Sequence, residues 1–102
     1  MNPRTFETIS EAIDTLTREG FKEDFRPGMK TIVASYTRKE YRPTDLSIVE
    51  SHRFEDMNNP DDEALVLAII ANDGTKGTFV LSYAADHNQN EELIREIPYA
   101  KN

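Results

Sequence analysis

Five carboxylates crowd the nine positions from Glu55 to Glu63: Glu55, Asp56, Asp61, Asp62 and Glu63. Asp73 makes a sixth acid between Phe54 and Thr75, a stretch with no Lys or Arg. Adjacent carboxylates in a loop can supply one or two oxygen ligands to a hard cation such as Mg²⁺, which keeps several waters of its own. The spacing is not that of a calcium-binding EF-hand loop, which needs three regularly spaced acids, a glycine and a distant glutamate. Asn58, Asn59, Pro60 and Asp61 are also turn formers, and charge beside a strand end keeps a sheet edge soluble. The bland reading of this acidic loop is therefore a solvated turn, and the functional one is a contact site.

A second candidate is Lys76, inside Gly74–Thr78 (GTKGT). A phosphate-binding Walker loop needs G-x-x-x-x-G-K-[ST] and then a helix whose N-terminal amides meet the phosphate. Here the lysine precedes the glycine and the following residues alternate like a strand, so hairpin chemistry accounts for the segment better. A third candidate is His52 with Glu50, two positions apart on one strand face, a pairing that could move a proton. A catalytic pair also needs a pocket and a third group, and a bulge would alter the parity. The bland reading places both side chains at a solvated strand end. Ser51 points to the opposite face and has no G-x-S-x-G elbow. His87 has no ligand spacing with His52.

These residues must be positioned by a short chain. With 102 residues it is one domain, 1–102. A capping box at Thr8 and Glu11, an apolar face of Ile9, Ala12, Ile13 and Leu16, and Gly20 as a left-handed terminator predict a helix over 10–19. Phe21, Glu23 and Phe25 alternate as a short strand, and residues 26–28 (RPG) turn. Residues 30–36 form a β-branched strand, 37–44 a polar connection and 45–55 a longer strand. Residues 64–71 are apolar on both parities, as in a strand covered on two sides. Residues 72–77 (NDGTKG) carry hairpin chemistry, and 78–85 return as a strand. A last helix fits 90–97, capped by Asn88 or Asn90 and stopped by Pro98. The expected fold is α+β: an antiparallel sheet of about four strands with an N-terminal and a C-terminal helix packed on it.

Composition excludes several functions. The formal net charge is −7, and residues 54–102 carry all of the excess, with ten acids against three basic residues. General nucleic-acid binding draws on basic patches and is not expected. There is no cysteine, which removes thiolate metal sites and disulfides. The longest apolar run, 64–71, is too short to span a membrane, and the N-terminus reads as having no secretory signal. The expected location is the cytoplasm. Two short helices would not cover both faces of the 64–71 strand, which invites a two-fold homodimer.

The string from Arg53 to Ala64 (RFEDMNNPDDEA) resembles a group of short, uncharacterised bacterial proteins commonly given the name phosphoribosylpyrophosphate synthetase. The likeness covers most of the chain, including Ser10-Glu11-Ala12-Ile13 and Lys76-Gly77. The group usually has glycine where this chain has Asp56, and it brings no established catalytic residues. Enzymes that make phosphoribosylpyrophosphate are several-fold longer, have two Rossmann-like halves and bind ribose phosphate at a strand-to-helix loop. Here the apolar strand ends at Asn72-Asp73-Gly74 and runs into another strand, without the basic partners that ATP and ribose phosphate need. The name therefore reads as a label rather than an activity. The leading expectation is a non-catalytic protein-interaction or regulatory module that meets a protein partner through the acidic loop or a sheet edge, with no cofactor. The alternative is a phosphoribosyl- or nucleotide-binding domain or synthetase-like enzyme, with Mg²⁺ held by Asp61, Asp62, Glu63 and Asp73 and phosphate met by Lys76.

Overall fold

The computed structural model describes residues 5–56, 59–82 and 91–100. The first helix, α1 (Ile9–Arg18), begins where its cap dictates: the Thr8 hydroxyl accepts the Glu11 amide at 3.1 Å. The Glu11 carboxylate reaches back to the amide of Glu7 at 3.4 Å, one residue earlier than a reciprocal capping box would use. At the other end the Phe21 amide bonds the Leu16 carbonyl and the Gly20 amide bonds that of Thr17. This double bond pattern needs a left-handed residue, supplied by Gly20 at φ +106°. The helix buries Ala12 and Leu16 and packs its partly buried Ile9 and Ile13 with them.

Six strands follow: β1 (Glu23–Pro27), β2 (Ile32–Ala34), β3 (Glu40–Tyr41), β4 (Leu46–Asp56), β5 (Asn59–Ala71) and β6 (Lys76–Ser82), before a short helix α2 (Glu91–Arg95). They form one sheet in the order β3-β2-β1-β6-β5-β4, with β1 and β6 parallel and every other neighbouring pair antiparallel. This corrects the expectation of about four antiparallel strands with two helices packed on them. Among the described residues the sheet is mixed with six strands, and it is accompanied by one substantial helix, α1, and a short one. The parallel contact joins segments more than 50 residues apart, which no turn signal announces. β3 has two residues, too few to show alternation. α2 ends at Arg95, where its last turn tightens, with the Glu96 and Ile97 amides bonding the carbonyls three residues back.

β3 and β4 lie at opposite edges of the sheet yet are neighbours in sequence. A flat sheet would separate its outer strands by about 24 Å, five strand spacings. From Tyr41 to Leu46 the chain reaches at most about 17 Å. The sheet must therefore curl, and a 3₁₀ turn at Pro43–Asp45 bridges its edges. The curl is held where the Tyr41 hydroxyl meets the Asp73 carboxylate at 2.8 Å and the Asn72 amide meets the Asp45 carbonyl at 2.8 Å. The larger core lies inside it: Phe25, Ile32, Leu46, Ile69 and Phe79, closed by Leu93, Ile94 and Ile97. The smaller core lies under α1, with Val66 and Ala68 of β5. β5 is covered on both faces, as its doubly apolar sequence implies. The outer edge of β4 is bridged at Ile48 by the C-terminal segment, through the Pro98 carbonyl at 2.9 Å and the Ala100 amide at 2.8 Å.

Candidate functional site

The acidic segment lies at the ends of two strands, whose pairing is irregular there. β4 runs through Asp56 and β5 starts at Asn59, with Glu55 opposite Glu63 and Asp56 opposite Asn59. The register shifts between these two pairs, so Pro60, Asp61 and Asp62 lie between them without a ladder partner of their own among the described residues. Among these residues the pairing of β6 with β5 runs as far as Ser82 opposite Ala64. Asn59 and Glu63 pair, among the described residues, with β4 alone, and these ends of β4 and β5 form an acidic arm. The side chains of Glu55, Asp56, Asp61, Asp62 and Glu63 lie outside the described set, as do the tip residues Met57 and Asn58. The same holds for His87, Asn88, Asn90 and the strand positions expected beyond Ser82.

The other acid, Asp73, sits in the β5–β6 turn, far along β5 from the arm. One carboxylate oxygen accepts the Thr75 amide at 3.0 Å, and the other accepts the Tyr41 hydroxyl at 2.8 Å and the Lys39 ammonium at 3.4 Å. Hydrogen bonds from the Thr75 amide, the Thr75 hydroxyl and the Tyr41 hydroxyl hold its carboxyl well below the ordinary carboxylate range. Burial pushes the Tyr41 phenol up, and the Asp73 charge adds to it. Lys76 is placed differently, with its ammonium 5.5 Å from the centre of the Phe21 ring beside α1. Asp73 ties the turn to β3 and Lys76 covers an aromatic ring, so the two do not converge.

A bulge decides the place of Glu50 and His52. Ile48 pairs with Ile69, but Glu50 pairs with Ala68, leaving Val49 as the extra residue. Before the bulge, Leu46 and Ile48 face the larger core; after it, the same parity faces the core under α1. His52 and Phe54 thus turn towards α1 instead of joining Leu46 and Ile48. His52 is not at a solvated rim: it is 8% exposed, its Nε2 engages the Glu50 carboxylate, and Phe6 meets it edge-on at 4.7 Å between ring centres. Ser51 is exposed on the other face. Among the described residues, no three His, Asp or Glu side chains gather as a metal-binding group.

Sequence reasoning missed Glu23. It is 6% exposed at the start of β1. Its carboxylate accepts three backbone amides: Tyr36 at 2.8 Å, Asp24 at 3.0 Å and Thr37 at 3.2 Å. Burial would raise its pKa, but these amide bonds outweigh it and the net shift is downward. The carboxylate fastens the β2–β3 turn onto β1. One signal was present, because Glu23 shares its parity with Phe21 and Phe25, and an acid in an apolar register must find donors. Beside it lies a groove of about 520 Å³, lined by Ile13, Thr17, Phe21, Asp24, Arg26 and Val80. A smaller cleft of about 240 Å³ lies between Leu65, Leu67, Leu81, Ile94 and Ile97.

Comparison with known proteins finds no matching family model, curated relative or solved structure.

Proposed function

We propose that this protein is a small, non-catalytic interaction module that meets a basic surface of a partner protein through its acidic β4–β5 arm. The observation that carries this reading is the crowding of acid at the ends of β4 and β5, where five carboxylates fall between Glu55 and Glu63. In that segment Asn59 and Glu63 pair with β4, and Pro60, Asp61 and Asp62 fall at a shift in the register. The chain's negative excess lies wholly in residues 54–102, and a field of one sign steers association with the opposite sign. A two-stranded arm also offers backbone edges that can order against a partner.

The test replaces the charge and keeps the shape, with Asp61→Asn, Asp62→Asn and Glu63→Gln combined. The far-ultraviolet spectrum and the thermal midpoint should match the parent. Partners retained by the parent at low salt should be released by the triple variant, and by the parent itself as salt shortens the Debye length from about 10 Å at 0.1 M towards 3 Å at 1 M. Equal retention by the folded variant would refute a role for the arm.

A further inference from the structure

β1 and β6 touch over only two register positions, Glu23 opposite Gly77 and Asp24 opposite Thr78. Glycine is what allows this approach: a Cβ at position 77 would stand 2.7 Å from the Glu23 carbonyl carbon and 2.7 Å from the Phe25 ring. Beyond Asp24 the strands part. β1 leaves to pair with β2, with Phe25 opposite Ala34, Arg26 opposite Val33 and Pro27 opposite Ile32. Pro27 has no amide hydrogen with which to continue a second ladder. Among the described residues β6 goes on with β5 alone, Phe79 opposite Leu67, Val80 opposite Val66 and Leu81 opposite Leu65.

From Phe79 to Ser82, then, β6 has a strand on one side and, among the described residues, none on the other. Every second residue there turns its N–H and C=O towards the gap, which makes it a sheet edge inside the sheet. The 520 Å³ groove occupies this place, with β1 on one bank, β6 on the other and α1 overhead. Val80, 36% exposed, and Ile13 give it an apolar floor and wall. Lys22 and Arg26 stand on its lip. Arg26 spends its Nε on Asp24 at 3.0 Å, and a guanidinium has four further donors.

We infer that the β1–β6 gap is a strand-addition site that takes an extended peptide of a partner protein, with an apolar side chain against Val80 and Ile13 and an acidic one at Lys22 and Arg26. Main-chain pairing to β6 supplies the affinity, and the two side-chain subsites supply the preference. The site is separate from the acidic arm and stands or falls independently of it.

The probe is a terminally blocked hexapeptide of alternating valine and glutamate, titrated to millimolar concentration into ¹⁵N-labelled full-length protein. Saturable amide shifts are expected at Phe25, Arg26 and Thr78–Leu81, with at least tenfold slower hydrogen exchange of the outward β6 amides. The same peptide with a central proline should give neither. Val80→Glu, at an exposed position, and Thr17→Trp, which fills the groove from the exposed side of α1, should each abolish the shifts while the thermal midpoint holds. No shifts, shifts confined to Glu50–Phe54 on β4, or equal binding by the proline peptide or by either folded variant would overturn the inference. So would β6 exchange that is already slow in the free protein and quickens on dilution, because a second copy would then occupy the gap.

Discussion

Removing the Glu23 carboxylate tests the account of how this fold is fastened. Glu23→Ala leaves the amides of Tyr36, Thr37 and Asp24 without their acceptor. A net hydrogen bond contributes about 1 kcal/mol, more when the acceptor is charged. Tyr36 and Thr37 are exposed residues that water can partly satisfy, which brings the expected loss to about 2–3 kcal/mol. Unfolding entropy of about 2.1 cal/mol/K per residue makes each kcal/mol worth roughly 4–5 °C in a chain this long. The thermal midpoint should fall by about 10–14 °C. Glu23→Gln keeps one carbonyl oxygen but turns a donor towards an amide, so it should lose about 1 kcal/mol. Because the folded pKa of Glu23 is lowered, its stabilisation is complete above the ordinary glutamate value of 4.5 and fades as pH falls through the folded value. Urea titrations from pH 7 to pH 3 should therefore show the gap between parent and Glu23→Gln narrowing below about 4.5. A Glu23→Ala variant within about 0.5 kcal/mol of the parent, the range of ordinary surface changes, would refute the reasoning. So would a gap that does not narrow with acid.

Two further substitutions probe the backbone devices. Gly77→Ala puts a methyl group against the Glu23 backbone and the Phe25 ring; overpacking of this kind costs about 1–3 kcal/mol, and amide exchange in β1 should quicken more than in β4. Deleting Val49 removes the bulge but keeps the faces, because Glu50 would follow Ile48 directly and still stand opposite Ala68. The cooperative thermal transition should therefore persist. Inserting an alanine between Val49 and Glu50 instead turns Glu50 and His52 towards the larger core and should abolish it. Val49→Ala, at a position 42% exposed, should unfold within about 0.5 kcal/mol of the parent.

The first helix was readable because its signals are local. Thr8, Gly20 and the spacing of Ala12 and Leu16 act within a few residues, and the observed boundaries differ from the expected ones by one residue at each end. The Asn72–Thr75 turn was readable for the same reason, with Gly74 at φ +91°. The candidate site was less so. The acids were found by composition, but their place at the ends of two strands, beside a shift in the ladder, depends on a register set by the two long strands together. Glu23 escaped because its donors, the amides of Tyr36 and Thr37, come from another turn of the chain.

Sequence alone determined the helix caps, the hairpin turn, the doubly covered strand and the one-sided charge, because each depends on side-chain type and near-neighbour spacing. Tertiary structure decided the parallel contact of β1 with β6, the curl that joins β3 to β4 and the face on which His52 lies. Each of these turns on where backbones remote in sequence come together: Gly77 admits β1, residues 42–45 are too short to cross a flat sheet, and one extra residue in β4 exchanges its two faces. Nothing in the local pattern of Leu46–Phe54 marks Val49 as that extra residue, since only the ladder with β5 counts the positions.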